Sequence, residues 1–369
     1  METLIQAPMP AFELLYNGRA MTADISPYVV SITYTDQLSG SSDTLDIEIE
    51  DSDGRWLGSW FPQKGAKLEF RFGYQHLPLV SAGTFDLDEL TLSGPPSRAS
   101  LRAKATGAQQ AVRTRNSHGY ENTTLLAVAQ RVAKRLHMKL IGKIEPLKID
   151  RITQYQEGDL AFLHRLAGQY GYAFKVTDNN TKMVFWKTAD LSLRSAIRRY
   201  TPGDLTRWSF RDSLAEAPAA VKVSHHNPAT RQLVQHETRA SDSTVQGDDS
   251  AGQVSNADTV HLVRRAPNKA SAEAQGKAAM DARMLERTTG NLTLEGDPTL
   301  AAGQNIELTG LGLLSGVYTI TRATHGIAQG SGYTTELELK RSAPAAKQAG
   351  KAPRVTSKPP AGLVSCNTD

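Results

Sequence analysis

With a single cysteine, Cys366, the chain can form no intramolecular disulfide and no cysteine-based zinc site. No stretch approaches the roughly 18 consecutive apolar residues that a membrane-spanning helix requires. Met1 to Phe12 lacks the basic patch and apolar run of a secretion signal, so the expectation is a protein kept in the cytosol, or one that leaves it without a standard signal. A formal charge of +4 is too mild to imply nucleic acid by itself. No glycine-rich phosphate loop, nucleophile elbow or zinc-protease motif occurs. What remains is architecture.

The strongest positive feature is an internal repeat. Lys64-Gly65-Ala66-Lys67-Leu68-Glu69-Phe70 is answered by Ala302-Gly303-Gln304-Asn305-Ile306-Glu307-Leu308. Likewise Gly83-Thr84-Phe85-Asp86-Leu87 is answered by Gly316-Val317-Tyr318-Thr319-Ile320, and Ala99 to Ala103 by Thr335 to Leu339. In both copies a glycine opens one alternating strand, and a second begins at a glycine with an aromatic two positions on. A third alternating strand follows. Two similar β-modules in one chain would turn a threefold oligomer into a ring of six similar parts.

The predicted organisation is mainly β with an α+β insertion. Residues 1–105 form a first β-module, with strands at Phe12–Tyr16, Tyr28–Tyr34 and Asp43–Glu50 and a hairpin turn at Asn17-Gly18. Residues 106–190 form a small α/β domain. One helix there is capped by Asn122 and carries Leu125, Val128, Val132 and Leu136; a second is capped by Asp159 and stops at Gly171. Residues 191–341 form the second module, with strands at Arg207–Phe210 and Ala220–His225. A long polar loop spans 227–259, and an alanine-rich helix spans 268–288 with Gly290 as its stop. That helix is expected outside the module with its alanines toward the sheet. Residues 342–369 have almost no apolar anchor and read as a flexible tail.

Few side chains compete for a chemical role. Asp86, Asp88 and Glu89 could supply paired carboxylates, but alternation places Asp86 and Asp88 on a solvent face opposite Phe85 and Leu87. The acidic turn at Asp51 and Asp53 fails as a calcium loop, because counting from Gly54 puts Ile49 and Trp60 at the ligand ends. His225 and His226 are adjacent on a strand and point to opposite faces, His236 lacks a carboxylate motif beside it, and His118, His164 and His325 are isolated. The expected catalytic, cofactor and metal residues are therefore none. Acids outnumber bases from Asp36 to Glu89 and the balance reverses from Arg98 to Arg151, as head-to-tail packing between subunits would use, unless both are solvated faces. A cell-wall hydrolase, or a nucleic-acid or glycan-binding module built on the basic segment, is the alternative.

Six collinear segments stand out: Phe12-Glu13-Leu14-Leu15-Tyr16-Asn17-Gly18-Arg19, Glu50-Asp51-Ser52-Asp53-Gly54-Arg55-Trp56, Tyr120-Glu121-Asn122-Thr123-Thr124-Leu125, Ile152-Thr153-Gln154-Tyr155, Asp159-Leu160-Ala161-Phe162-Leu163 and Gly332 to Leu339. Together they resemble the phage late control D family, the baseplate hub proteins of contractile tails. The resemblance implies two tail-tube-like β-barrels flanking the small α/β domain, similar to the hub portion of type VI secretion spike proteins. It implies a homotrimer joining a trimeric spike to the hexameric tail tube or a tube initiator, beside other baseplate proteins and the tape measure protein. DNA would be passing cargo only, with no membrane insertion, in a virion or tail-like particle assembled in the host cytoplasm. No catalytic residue or cofactor comes with it.

Overall fold

The computed structural model describes residues 8–63, 65–105, 114–177, 181–227, 231–245 and 256–344. The first half is built from β1 (Pro10–Tyr16), β2 (Arg19–Ala20), β3 (Val29–Gln37), β4 (Thr44–Glu50), β5 (Lys67–Tyr74), β6 (Val80–Ser93) and β7 (Arg98–Lys104). Asn17 and Gly18 both have positive φ, the geometry of a tight hairpin turn, and set Tyr16 opposite Arg19. In β4 strict alternation buries Leu45, Ile47 and Ile49 and turns Asp46, Glu48 and Glu50 outward.

The insertion comprises β8 (Arg115–Thr124), α1 (Leu125–Arg135), β9 (Lys139–Ile141), β10 (Lys148–Gly158), α2 (Asp159–Gln169), β11 (Tyr172–Thr177) and β12 (Lys182–Lys187). Val128, Ala129 and Val132 of α1 and Phe162, Leu163 and Leu166 of α2 share one apolar core with Phe174 and Phe185. Two cap expectations are corrected. Antiparallel pairing of Thr123 and Thr124 with β10 keeps the chain extended past Asn122, so Thr124 caps α1, its hydroxyl accepting from the Ala127 N–H at 3.2 Å. Gly158 takes the cap position of α2, because the Asp159 carboxylate is turned into the core. Gly171 ends that helix with φ +75°, as expected. The Asp178-Asn179-Asn180 turn lies outside the described residues.

The second half holds β13 (Ala196–Tyr200), β14 (Arg207–Asp212), β15 (Ala220–Asn227), β16 (Gln232–Arg239), β17 (Thr259–Val263), α3 (Lys269–Arg287), β18 (Thr288–Glu295), β19 (Asn305–Leu308), β20 (Gly316–Ala328) and β21 (Gly332–Pro344). The expected polar loop at 227–259 contains β16, while 228–230 and 246–255 lie outside the described residues. β15 does not belong to the second module either: it centres a separate three-stranded sheet, β16-β15-β17. The α3 helix lies outside the module, as expected, but Ala272, Met280 and Met284 cover this separate sheet and not the sheet of the module. Arg287 passes directly into β18, so Gly290 is not a helix stop. It leaves room for the Phe210 ring, which a Cβ there would meet at 2.3 Å. Ser342 to Pro344 belong to β21 and not to a tail; residues 345–369 lie outside the described residues.

The chain is mainly β with an α+β insertion, and thirteen strands form one sheet in which the repeat is explicit. The first half runs β3-β4-β7-β6-β5-β1 and the second runs β14-β18-β21-β20-β19-β13, the same order of corresponding strands. Register repeats too. Leu68 faces Phe85 and Phe70 faces Gly83; Ile306 faces Tyr318 and Leu308 faces Gly316. Each half carries a bulge at the same place, between Leu87 and Glu89 and between Ile320 and Arg322. Inside each half an aromatic of the first strand in that order meets the aromatic after the glycine: Tyr34 lies 5.8 Å from Phe85, and Phe210 lies 5.4 Å from Tyr318. Each half encloses its own apolar core. One pairing departs from the repeat, since β1 is antiparallel to β5 whereas β13 is parallel to β19.

Candidate assembly surfaces

The two halves meet where β20 pairs antiparallel with β3, setting His325 opposite Tyr34 and Thr324 opposite Thr35. His325, isolated in sequence, is 3% exposed at this seam and stacks on Tyr34 at 5.9 Å. Its Nε2–H donates to the Leu300 carbonyl at 3.0 Å, which leaves Nδ1 to accept from the Tyr333 hydroxyl at 2.8 Å. Burial pushes the imidazole down to about 4, so the ring is neutral near pH 7 and uses both nitrogens to join strands.

A second contact ties the α/β insertion to both halves. Lys175 of β11 reaches Asp43 at 2.9 Å and also pairs with Asp36, whose other oxygen accepts from the Ala302 N–H at 2.8 Å. Burial pushes the Asp43 carboxyl up to about 6 against the pull of Lys175. Ser39 adds hydrogen bonds to the backbone of Phe174. Within the insertion, burial alone would raise the Asp159 carboxyl. Hydrogen bonds from Arg135 at 2.6 and 2.8 Å, Gln154 at 2.7 Å and Asn116 at 3.0 Å hold it below its ordinary value instead. Sequence spacing shows no sign of either cluster, because their members come from different strands, helices and loops.

The carboxylates considered for catalysis, Asp86, Asp88 and Glu89, sit in unlike surroundings. Asp86 is buried, contrary to the solvent face expected, although it alternates with Phe85 and Leu87 in regular register. Lysines stand opposite it on both neighbouring strands, Lys67 and Lys104. Asp88 is bound at 2.6 Å by Lys104, and Glu89 is exposed. Asp51 accepts from the Trp56 N–H at 3.2 Å and Asp53 pairs with Arg55 at 2.9 Å, consistent with a turn. His225 and His236 lie on β15 and β16, opposite Val234 and Val223 respectively, and His226 faces Leu233. His118 neighbours Tyr120, and His164 meets Ser39 at 3.3 Å. Among the described residues no three His, Cys, Asp or Glu side chains gather as metal ligands.

The charge asymmetry of the sequence also resolves differently from the head-to-tail expectation. Acids of β4 pair with bases of the adjoining β7, Glu48 with Arg98 at 2.5 Å and Asp46 with Arg102 at 3.5 Å, so much of it is cross-strand neutralisation within the sheet.

Several strands are paired on one side only among the described residues, and two of these edges are related by the repeat to the seam between the halves. β14 is bordered only by β18, and the Glu89–Ser93 end of β6 is bordered only by β7, since β5 reaches no further than Asp86. Trp208 and Leu214, each 46% exposed, lie on and just beyond the β14 edge. Long open edges are sites of chain-to-chain pairing.

Comparison with known proteins agrees with an assembly role. The family model described as phage tail baseplate hub (GPD) matches residues 97–331. The probable baseplate hub proteins of Escherichia phages P2 and 186 are 34% identical over 164 residues and 31% identical over 180 residues. Those matches cover 44% and 48% of this chain, and span less than half of either relative, 42% and 45%. The 43 kDa tail protein of prophage MuSo2 from Shewanella oneidensis has a similar fold, with a TM-score of 0.65 over 90% of this chain and 98% of that one at 15% identity.

Proposed function

Because this chain belongs to the phage tail baseplate hub family, we propose that it is a structural hub: three copies form a ring whose six sheet halves alternate around a channel. Threefold symmetry then meets a trimeric spike, and near-sixfold symmetry meets a hexameric tail tube or its initiator. The observation that carries this reading is the repetition of strand order, register and bulge between the two halves. In this reading 1–105 and 191–341 each supply a tube-like barrel to the ring. Other baseplate proteins contact its rim, and nucleic acid is only cargo in the channel. The hub acts in the baseplate of the particle after assembly in the host cytoplasm, and it acts by binding, not catalysis.

The test is complementation of tail assembly in particles lacking the hub, read as tail counts by electron microscopy and as killing or infection. The chain carrying Asp86→Ala and Asp88→Ala is expected to restore normal, active tails. Normal tails that are inactive would favour the cell-wall hydrolase. Failure of the unaltered chain to restore tails would overturn the hub reading.

A further inference from the structure

The fold contains its own pattern for how the two open edges meet. Inside the chain, β20 of the second half pairs with β3 of the first: Arg322 faces Gln37, Thr324 faces Thr35, His325 faces Tyr34 and Gly326 faces Thr33. The repeat equates Gly316 with Gly83 and Phe210 with Tyr34. Carried through those equivalences, the same pairing sets Glu89 opposite Ser213, Thr91 opposite Arg211, Leu92 opposite Phe210 and Ser93 opposite Ser209. Neither of these edges has a ladder partner within one chain among the described residues.

We propose that a second copy of this chain fills them: Glu89–Ser93 of one copy adds antiparallel to Ser209–Ser213 of the next, with Thr91 opposite Arg211. The partner is a copy of the chain because the complement of each edge is present on the same molecule, and the contact is head-to-tail, so it propagates to a ring when the rotation closes. This rests on the ring reading above and specifies its interface.

Side-chain chemistry agrees with that register. Leu90 and Leu92 are half-buried toward the first core while Glu89, Thr91 and Ser93 are exposed. The register sets Leu92 opposite Phe210, the aromatic that packs inward on Tyr318. On the outer face Glu89 comes diagonal to Arg211, a favourable cross-strand pair. The chemistry of the existing seam is repeated as well, Tyr34 and Asp36 corresponding to Phe210 and Asp212. Ile32, paired in the existing seam, is 1% exposed, whereas its counterpart Trp208 is 46% exposed on the open edge.

Cysteine cross-linking tests the register, in a Cys366→Ser background. Directly opposed residues hold their Cα atoms about 4.5–5.5 Å apart, inside disulfide reach. A pair slipped by two residues is about 7–8 Å apart, outside it. Thr91→Cys with Arg211→Cys should oxidise into a reducible ladder of dimers and trimers, and mixing the two single variants should link only unlike chains. Glu89→Cys with Arg211→Cys should link far less. Solution mass is measured on each variant. An oligomer that fails to link, or links equally well in the slipped pair, overturns the register while leaving the ring standing. A monomer at micromolar concentration overturns the ring reading as well.

Discussion

The two halves of the thirteen-stranded sheet repeat strand order, register and one bulge, yet they differ in what borders them. In the first half β3 is covered by β20, and Asp36 beside it is buried against Lys175. In the second half the corresponding β14 is an open edge, and Asp212 is 47% exposed at its side chain. Insertions differ similarly. β3 and β4 are joined by a short loop, whereas a three-stranded sheet and α3 intervene between β14 and β18. What repeats is the part that must present equivalent surfaces around a ring, and what varies hangs from its loops. The comparison teaches that an open edge on one copy of a repeat can be understood from the filled edge on the other.

The largest effect that could break this equivalence comes from the paired aromatics. Phe85→Ala and Tyr318→Ala should each cost about 3–5 kcal/mol, as for large buried aromatics generally. Both are fully buried, and both face the apolar residue of the neighbouring strand in the same register. Urea unfolding of the two variants checks it; a loss confined to one half would mean that the repeat is one of topology without shared energetics.

Next in size is the contrast between Asp36 and Asp212. Asp36→Ala leaves Lys175 to Asp43 alone and the Ala302 N–H unmet, and should cost about 3 kcal/mol, the range of a broken buried ion pair. Asp212→Ala should cost under about 1 kcal/mol in the unassembled chain, since its ion pair with Arg287 is exposed. Equal losses would show that β14 is already covered.

The seam should also carry its own pH dependence, because His325 corresponds to the non-titrating Leu92. The folded imidazole sits at about 4 and the unfolded one near its ordinary value of about 6.5. Between these values the unfolded chain binds the extra proton. The contribution is therefore fully present above pH 6.5 and is lost as pH falls toward 4, amounting to about 3 kcal/mol. Chemical denaturation of the wild type and His325→Gln, followed from pH 7 to 4, should show the wild type losing about 3 kcal/mol relative to the variant, with the dependence from Asp43 common to both.

The smallest effect on the fold belongs to the open edges. Glu89→Arg should change monomer stability by under about 0.5 kcal/mol, being an exposed surface position. It should still weaken association, and Arg211→Glu in the same chain should restore it. Sedimentation of the single and double variants checks this; no recovery in the double variant would place Glu89 and Arg211 apart.

Much of the β framework was legible because its signals are local. Alternation in β4, the Asn17-Gly18 hairpin and the glycine-led strands at Gly83 and Gly316 are written in adjacent residues, and the repeat needed only collinearity. What failed was non-local. Asp159 looked like a helix cap because its spacing to the apolar stripe was right, but Arg135, Gln154 and Asn116 claim its carboxylate from other elements. The burial of Asp86 was not legible because alternation gives the face of a side chain and not what covers that face. β16 hid in a polar stretch because its residues, among them Gln232, Gln235 and Glu237, are those of a strand largely turned to solvent. His325 gave no warning of its role, which depends on Tyr34, Phe72 and Tyr333 from three different strands.

The central claim, that the two halves act as equivalent parts of one ring, is tested most directly by a cryo-electron microscopy reconstruction of the purified oligomer without imposed symmetry. The account predicts three copies, with six sheet halves alternating at one radius around a channel and Glu89–Ser93 lying against Ser209–Ser213 at each junction between copies. A dimer with a twofold axis, or a ring in which only one half of each chain lines the channel, would contradict it.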